Sequence, residues 1–307
     1  MDSRDPEFET EPEQLEALRR GLASMGVDAE LVVTWDFVNE VRERTGLQRY
    51  SADRGAGTVA AKTLGETVLV NAQAVLHRAT LEELTRLAAH EAGHVLINRR
   101  GESFLIGEEL VNSPWEWNVM ATAGMCLEEA RIERDLARAG YPLAESVTYE
   151  HLGDHLFELN AAALETVVAL GGEVQRMIEN AMTASTRLST MLAYLSASVI
   201  EGQFEFGAES LSTYAFENWM EYVHPTWSRR LAFYQSLPTC REPMSLDGLR
   251  EVLREGAELE HDSLRSMGFE FRGTAVQWGF WNVATPSIWD ARLDRMRAEA
   301  ACDATIE

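Results

Sequence analysis

Residues 78–102 read RATLEELTRLAAHEAGHVLINRRGE, and the reading of this stretch decides the fold. Leu84, Leu87, Ala88, Val95 and Ile97 recur at helical spacing and supply one apolar side. Thr80 followed by Glu83 has capping-box spacing, and Gly101 is a stop signal. The pattern predicts a helix over 81–99. On such a helix His90 and His94 lie one turn apart on the same face, so both imidazoles can be directed at one metal ion. Glu91 stands about 100° around the helix from His90. It can reach a water at that metal without being a ligand. Metal-assisted hydrolysis needs this arrangement: the ion lowers the pKa of its water, and a nearby carboxylate takes the proton as the water attacks a carbonyl. Ala92 and Gly93 leave little bulk beside the metal. A bare HExxH string also arises by chance in unrelated chains. The helix around it, the small residues inside it and the strand-like segment before it favour the metal reading.

Working upstream, residues 57–63 (GTVAAKT) and 67–75 (TVLVNAQAV) read as strands, with Leu64, Gly65 and Glu66 between them as a hairpin. Residues 12–46 read as two helices. In the second, Leu31, Val32, Trp35, Val38 and Val41 recur at helical spacing. Downstream, a loop over about 101–115 ends in Trp115 and Trp117, and a helix is expected from 117 to 139, stopped by Gly140 and Pro142. The rest reads as helices over about 145–170, 173–202, 207–223, 226–237, 244–265 and 286–300, with Gly171 and Gly172 as punctuation. Residues 269–281 (FEFRGTAVQWGFW) are the only later stretch that could be extended. The fold class expected is α+β, mainly α: a zincin-like core with a small β-sheet and an extended helical C-terminal part. The expected division is an acidic N-terminal segment and first helix (1–27), a core carrying both motif helices (28–140), and a helical C-terminal subdomain completing the cleft (141–307).

Catalytic zinc takes three protein ligands and leaves one position open. The short continuation HExxHxxGxxH is absent, because position 97 is Ile and position 100 is Arg. The third ligand is therefore sought on the next helix, in CLEEARIERDL (126–136). Glu129 and Glu133 are four apart on one face. Met125, Ile132 and Leu136 flank Glu129, and a carboxylate beside an apolar stripe is costly unless paired or bound to metal. Glu129 can bind the ion while Glu133 hydrogen-bonds a ligand histidine from outside. Glu128 stays open as the alternative ligand. Glu129 is preferred because the residue four positions on is acidic, whereas that of Glu128 is Ile132.

With 34 residues between His94 and Glu129, the chain resembles the gluzincin metallopeptidases, which carry HExxH on one helix and a glutamate on a second, often as ExxxD. The matching residues are HEAGH (90–94) and EARIE (129–133), with Glu133 in place of the usual Asp. LEEARIE also looks like the ED-x-R-[IV]-E segment of some bacterial zincin-like proteins. The resemblance covers about residues 57–139 and is specific at the level of the superfamily. It implies a strand whose edge aligns an extended peptide, with zinc below the peptide, and a distant Tyr or His stabilising the tetrahedral oxyanion. His224 and Tyr222, in the aromatic stretch 214–235, are the best candidates, with Tyr214 behind them. Arg229 or Arg230 could clamp a substrate carboxylate, and Trp115 and Trp117 could line a cleft. His151 and His155 are again four apart, but no Glu follows His151, and the pair reads more simply as a polar helix face. His77 and His261 have no partner pattern.

Composition narrows the partners. The net charge of −23 disfavours nucleic acid and anionic membranes, because phosphates would be repelled. Cys126, Cys240 and Cys302 are odd in number and form no CxxC pair, so neither a disulfide framework nor a thiolate zinc site is expected, and a reducing compartment fits. The N-terminal residues MDSRDPEFETEPEQ lack a basic region followed by an apolar one, so no signal peptide is read there. Residues 182–200 hold Arg187 and many hydroxyls and read as a buried helix rather than a membrane span. The expected protein is a cytoplasmic zinc metallopeptidase with one zinc ion, acting on a peptide or peptide-like substrate, with no nucleic-acid or membrane partner. His90, His94 and Glu129 are its ligands and Glu91 its general base. Two other readings fit the same residues: a dedicated pathway hydrolase for one cognate peptide or natural-product amide, and a non-catalytic metal-binding or regulatory protein on a zincin scaffold.

Overall fold

The computed structural model describes residues 10–53, 58–168, 174–273 and 278–303. The first nine residues, Gly57 at the start of the expected first strand, and Gly171 and Gly172 lie outside them. The described chain is mainly helical with a small mixed sheet. It divides into two compact units, residues 1–103, 138–142 and 239–243 in the first and 104–137, 143–238 and 244–307 in the second.

The first unit runs α1 (Pro12–Ser24), β1 (Glu30–Thr34), α2 (Phe37–Thr45), β2 (Ala61–Leu64), β3 (Thr67–Asn71), α3 (Ala72–Val75) and α4 (Leu81–Arg99). The sheet order is β1-β3-β2, with β1 parallel and β2 antiparallel to β3. Leu64 pairs with Thr67, so Gly65 and Glu66 form a two-residue hairpin loop. Gly65 has φ +61° and, among the described residues, no residue other than glycine has positive φ, the pattern of a type II′ turn, in which only the first loop residue needs positive φ. Strand β1 differs from the expected helix over residues 31–41. Val32, Val33 and Thr34 are β-branched, and the parallel ladder to β3 engages backbone groups that a helix would have paired internally. Only from Phe37 onward does the helical spacing prevail. The second expected strand also ends early: the Asn71 side chain accepts a hydrogen bond from the Ala74 N–H and starts α3.

Leu69 packs with Phe37 and Val41 of α2 on one face of the sheet. Thr63 pairs with Val68, so both point to the other face, where Thr63 meets α4. Helix α4 begins as expected, with the Thr80 and Glu83 capping box intact. Helix α1 lies against it at Gly21, where an added Cβ would stand 2.2 Å from the Thr85 carbonyl oxygen and 2.7 Å from the Ala88 Cβ. That close approach buries Ala88 and Ala89 completely.

The second unit holds α5 (Pro114–Arg138), α6 (Tyr149–Val168), α7 (Val174–Ile200), α8 (Thr213–Tyr222), α9 (His224–Ser236), α10 (Leu246–Ser266), the hairpin β4 (Phe269–Gly273) and β5 (Trp278–Asn282), and α11 (Pro286–Asp303). A 3-10 helix, Phe104–Leu110, fills much of the expected loop and precedes α5. It sits close on α5, because a Cβ at Gly124 would meet the Phe104 Cβ at 2.2 Å. One core cluster joins Leu156, Leu159, Leu188, Leu192, Trp219 and Phe269; another joins Cys126, Leu127, Phe233, Leu249 and Leu253. Helix α5 clusters with these C-terminal helices, whereas the expected division grouped it with α4. Among the described residues no helix is long and apolar enough to cross a membrane.

Candidate metal centre

Helix α4 sets the two histidines as the spacing requires. Their ring centroids are 5.1 Å apart with planes inclined at 70°. His90 is buried and His94 half-buried. Glu91, between them in sequence, is buried at 7% exposure. Its carboxylate is held by Thr63 of the edge strand β2. The Thr63 hydroxyl lies 2.7 Å from Glu91 Oε2 and 3.0 Å from the Glu91 carbonyl oxygen, so it donates its one proton to an acceptor of that same residue. The sheet thereby fixes the rotamer of the residue cast as general base.

On α5 the two adjacent glutamates separate cleanly. Glu128 Oε1 accepts from the Phe104 N–H at 3.1 Å, which ties it to the segment entering the 3-10 helix. Glu129 is half-buried, and its Oε2 accepts from the Tyr194 hydroxyl of α7 at 2.9 Å. His90, His94 and Glu129 form a group that could hold a metal ion: each offers one ligand atom, and these atoms all lie within 4.8 Å of one another. Two imidazoles and one carboxylate suit zinc as a donor set. Glu133, one turn beyond Glu129, is buried on the same helix.

The other charges of EARIER serve the fold. Arg131 Nε donates to the Pro238 carbonyl at 3.1 Å. Arg134 donates to the carbonyls of Tyr234 and Leu237 at 2.7 and 2.6 Å and to Glu201 at 2.8 Å. These carbonyls end α9, where a helix leaves acceptors without partners of its own. Arg134 therefore caps a neighbouring helix, and Arg131 holds the segment that leaves it.

The remaining expected site residues lie elsewhere. Tyr222 is a core residue: it is fully buried, its hydroxyl donates to Asn160 Oδ1 at 2.5 Å, and the Arg292 guanidinium lies 4.8 Å above its ring. Burial pushes its phenol well above the ordinary tyrosine range. A phenol so enclosed and already donating has no proton for a substrate oxyanion, which corrects that assignment. Tyr214 joins the same buried network, accepting from Asn160 Nδ2 at 2.8 Å. His224 is the exposed first residue of α9. Arg230 is fully buried in an ion pair with Glu260 at 2.5 Å, and Arg229 pairs with Asp262 at 2.6 Å, so neither is an idle clamp. Trp115 stacks on Phe271 at 5.4 Å, and Trp117 on Phe104 at 6.3 Å, which makes both part of the packing of their own unit. The His151 and His155 pair joins no metal-binding group among the described residues. His151 Nδ1 lies 3.2 Å from Thr148 Oγ1, and His155 lies beside Glu158.

Sequence reasoning missed Thr63 and Tyr194. Thr63 was legible only as a strand residue, and Tyr194 only as one aromatic in a long apolar helix. No family model matches this chain, and no curated protein or solved structure matches it either.

Proposed function

We propose that this chain is a zinc-dependent metallopeptidase or amide hydrolase on a zincin-like core of the kind the gluzincins use. The observation that carries the reading is the His90, His94 and Glu129 group, with a buried carboxylate, Glu91, next to the first ligand in sequence and oriented by Thr63. Bound there, zinc supplies Lewis acidity that makes water a competent nucleophile near neutral pH. His90, His94 and Glu129 would hold the ion. Glu91 takes the proton of the attacking water and passes it to the leaving amine. Strand β2 lies at the edge of the sheet and carries Thr63, so an extended substrate paired along it would run beside the base. Of the two expected oxyanion donors, His224 is the one with an exposed ring. Among the described residues the group offers three protein ligands, where a structural zinc site takes four. That difference, and the presence of Glu91, favour a catalytic over a purely structural ion.

The test pairs metal content with turnover of a quenched fluorescent peptide library. Wild type should carry about one zinc per chain and cleave some members. Glu91→Gln should keep the metal and lose turnover, while His90→Ala should lose both. Unchanged turnover in Glu91→Gln would remove the mechanism; absence of metal uptake by wild type would remove the site.

A further inference from the structure

We propose that Tyr194 is a positioning residue for Glu129, which it holds for binding zinc through a single oxygen, keeping the metal four-coordinate. The inference rests on the metal-site reading above. Tyr194 lies within α7, and its ring packs against the core cluster that includes Leu188, Met191, Leu192 and Leu195. That packing of the ring restrains where its hydroxyl can lie. That hydroxyl donates to Glu129 Oε2 at 2.9 Å. A glutamate side chain has several rotamers of similar energy, and a donor anchored in the core selects one of them. It also occupies part of one carboxylate oxygen. Two-oxygen binding of the metal then competes with a hydrogen bond to a charged acceptor, one of the stronger kinds. One-oxygen binding does not, and it leaves the fourth position of a tetrahedral ion open to water. The neighbouring Glu128 has the opposite assignment, its Oε1 taken by the Phe104 backbone N–H. Two adjacent and chemically identical carboxylates are thus sorted by the donors that meet them.

The experiment titrates full-length apo protein with Zn²⁺ against a chromophoric chelator, and with Co²⁺ while recording visible absorption. It compares wild type, Tyr194→Phe, Glu129→Ala and the double variant, with circular dichroism as the check on folding. Phe keeps the ring in the core and removes only the hydroxyl. Tyr194→Phe should weaken Zn²⁺ binding about ten- to hundredfold. Its Co²⁺ bands should lose the intensity of a four-coordinate ion as the freed carboxylate raises the coordination number. In the Glu129→Ala background the same substitution should change residual affinity little, because its effect passes through the carboxylate. One zinc bound by wild type, with affinity and Co²⁺ spectrum unchanged in Tyr194→Phe, would overturn the inference and leave the site standing. An equal loss in the Glu129→Ala background would assign the hydroxyl to the fold. Failure of wild type to bind either metal would overturn the site and this inference together.

Discussion

At the scale of single residues, the candidate centre depends on which hydrogen-bond donor meets which carboxylate. Glu91 is aimed by Thr63, Glu128 is taken by a backbone N–H, and Glu129 is met by Tyr194. None of these donors is near its acceptor in sequence. Thr63 affords a prediction of its own. Thr63→Val keeps the β-branched shape of the strand and removes the hydroxyl. It should lower kcat about ten- to hundredfold, the worth of one hydrogen bond to a charged group, with KM and zinc content near wild type. Thr63→Ser should restore most of the loss. If Val and Ser behave alike, the hydroxyl does not orient the base. The sequence made His90, Glu91 and His94 legible because ligand and base spacing are properties of one helix. It favoured Glu129 over Glu128 only through the acidic residue four positions on, because neighbours in a helix point about 100° apart and the packing around them decides which one stands with the histidines.

At the scale of elements, α5 carries charges that a surface helix would leave in water. Glu128, Arg131, Glu133, Arg134 and Asp135 are all buried. Arg134 binds the last carbonyls of α9 and the Glu201 carboxylate, so its removal takes one donor from three acceptors at once. Arg134→Met should cost about 3–5 kcal/mol of stability in urea denaturation, as for other buried pairs that lose one partner. A loss below 1 kcal/mol would mean that water replaces the guanidinium there. Helix α6 carries a second test. Burial, opposed by Glu158 and Asp154 and assisted by Arg187 and His151, holds the His155 imidazole below its ordinary value. The folded protein thus binds its proton less readily than the unfolded chain. The associated stability is complete above about pH 6.5, the ordinary histidine value, and is lost as pH falls from there through the folded-state value. Between pH 7 and 5 the melting temperature of wild type should fall more steeply than that of His155→Gln. Parallel slopes would show that the burial does not matter. The short sheet shows the limit of pattern reading at this scale. Leu31, Val32, Trp35, Val38 and Val41 fit a helix by period, yet the first two lie in a strand because β3 offers a parallel partner far along the chain.

At the scale of the whole molecule, a net charge of −23 leaves a surface that attracts cations in general. Specific binding must therefore be separated from diffuse screening. Zinc at a hundred times its dissociation constant should stabilise the folded protein by about 2.7 kcal/mol if it binds only the native state. The rise in unfolding midpoint should vanish in His90→Ala and survive moderate salt. A rise of equal size with magnesium would mark a diffuse effect of charge.

What the sequence determined by itself is what lies within one helix or one turn. The capping box of α4, the His90 and His94 pair, the hairpin at Gly65 and the mainly helical class follow from local spacing, and spacing is a property of the chain alone. Only the tertiary structure decided that Glu128 is met by the Phe104 backbone while Glu129 stands with the histidines, that Tyr222 and Arg230 belong to buried networks, and that Thr63 and Tyr194 hydrogen-bond to Glu91 and Glu129. The physical reason is the same in each case. A buried polar group must find a partner, and that partner is supplied by whatever element packs against it, with no period or spacing in the sequence to announce it.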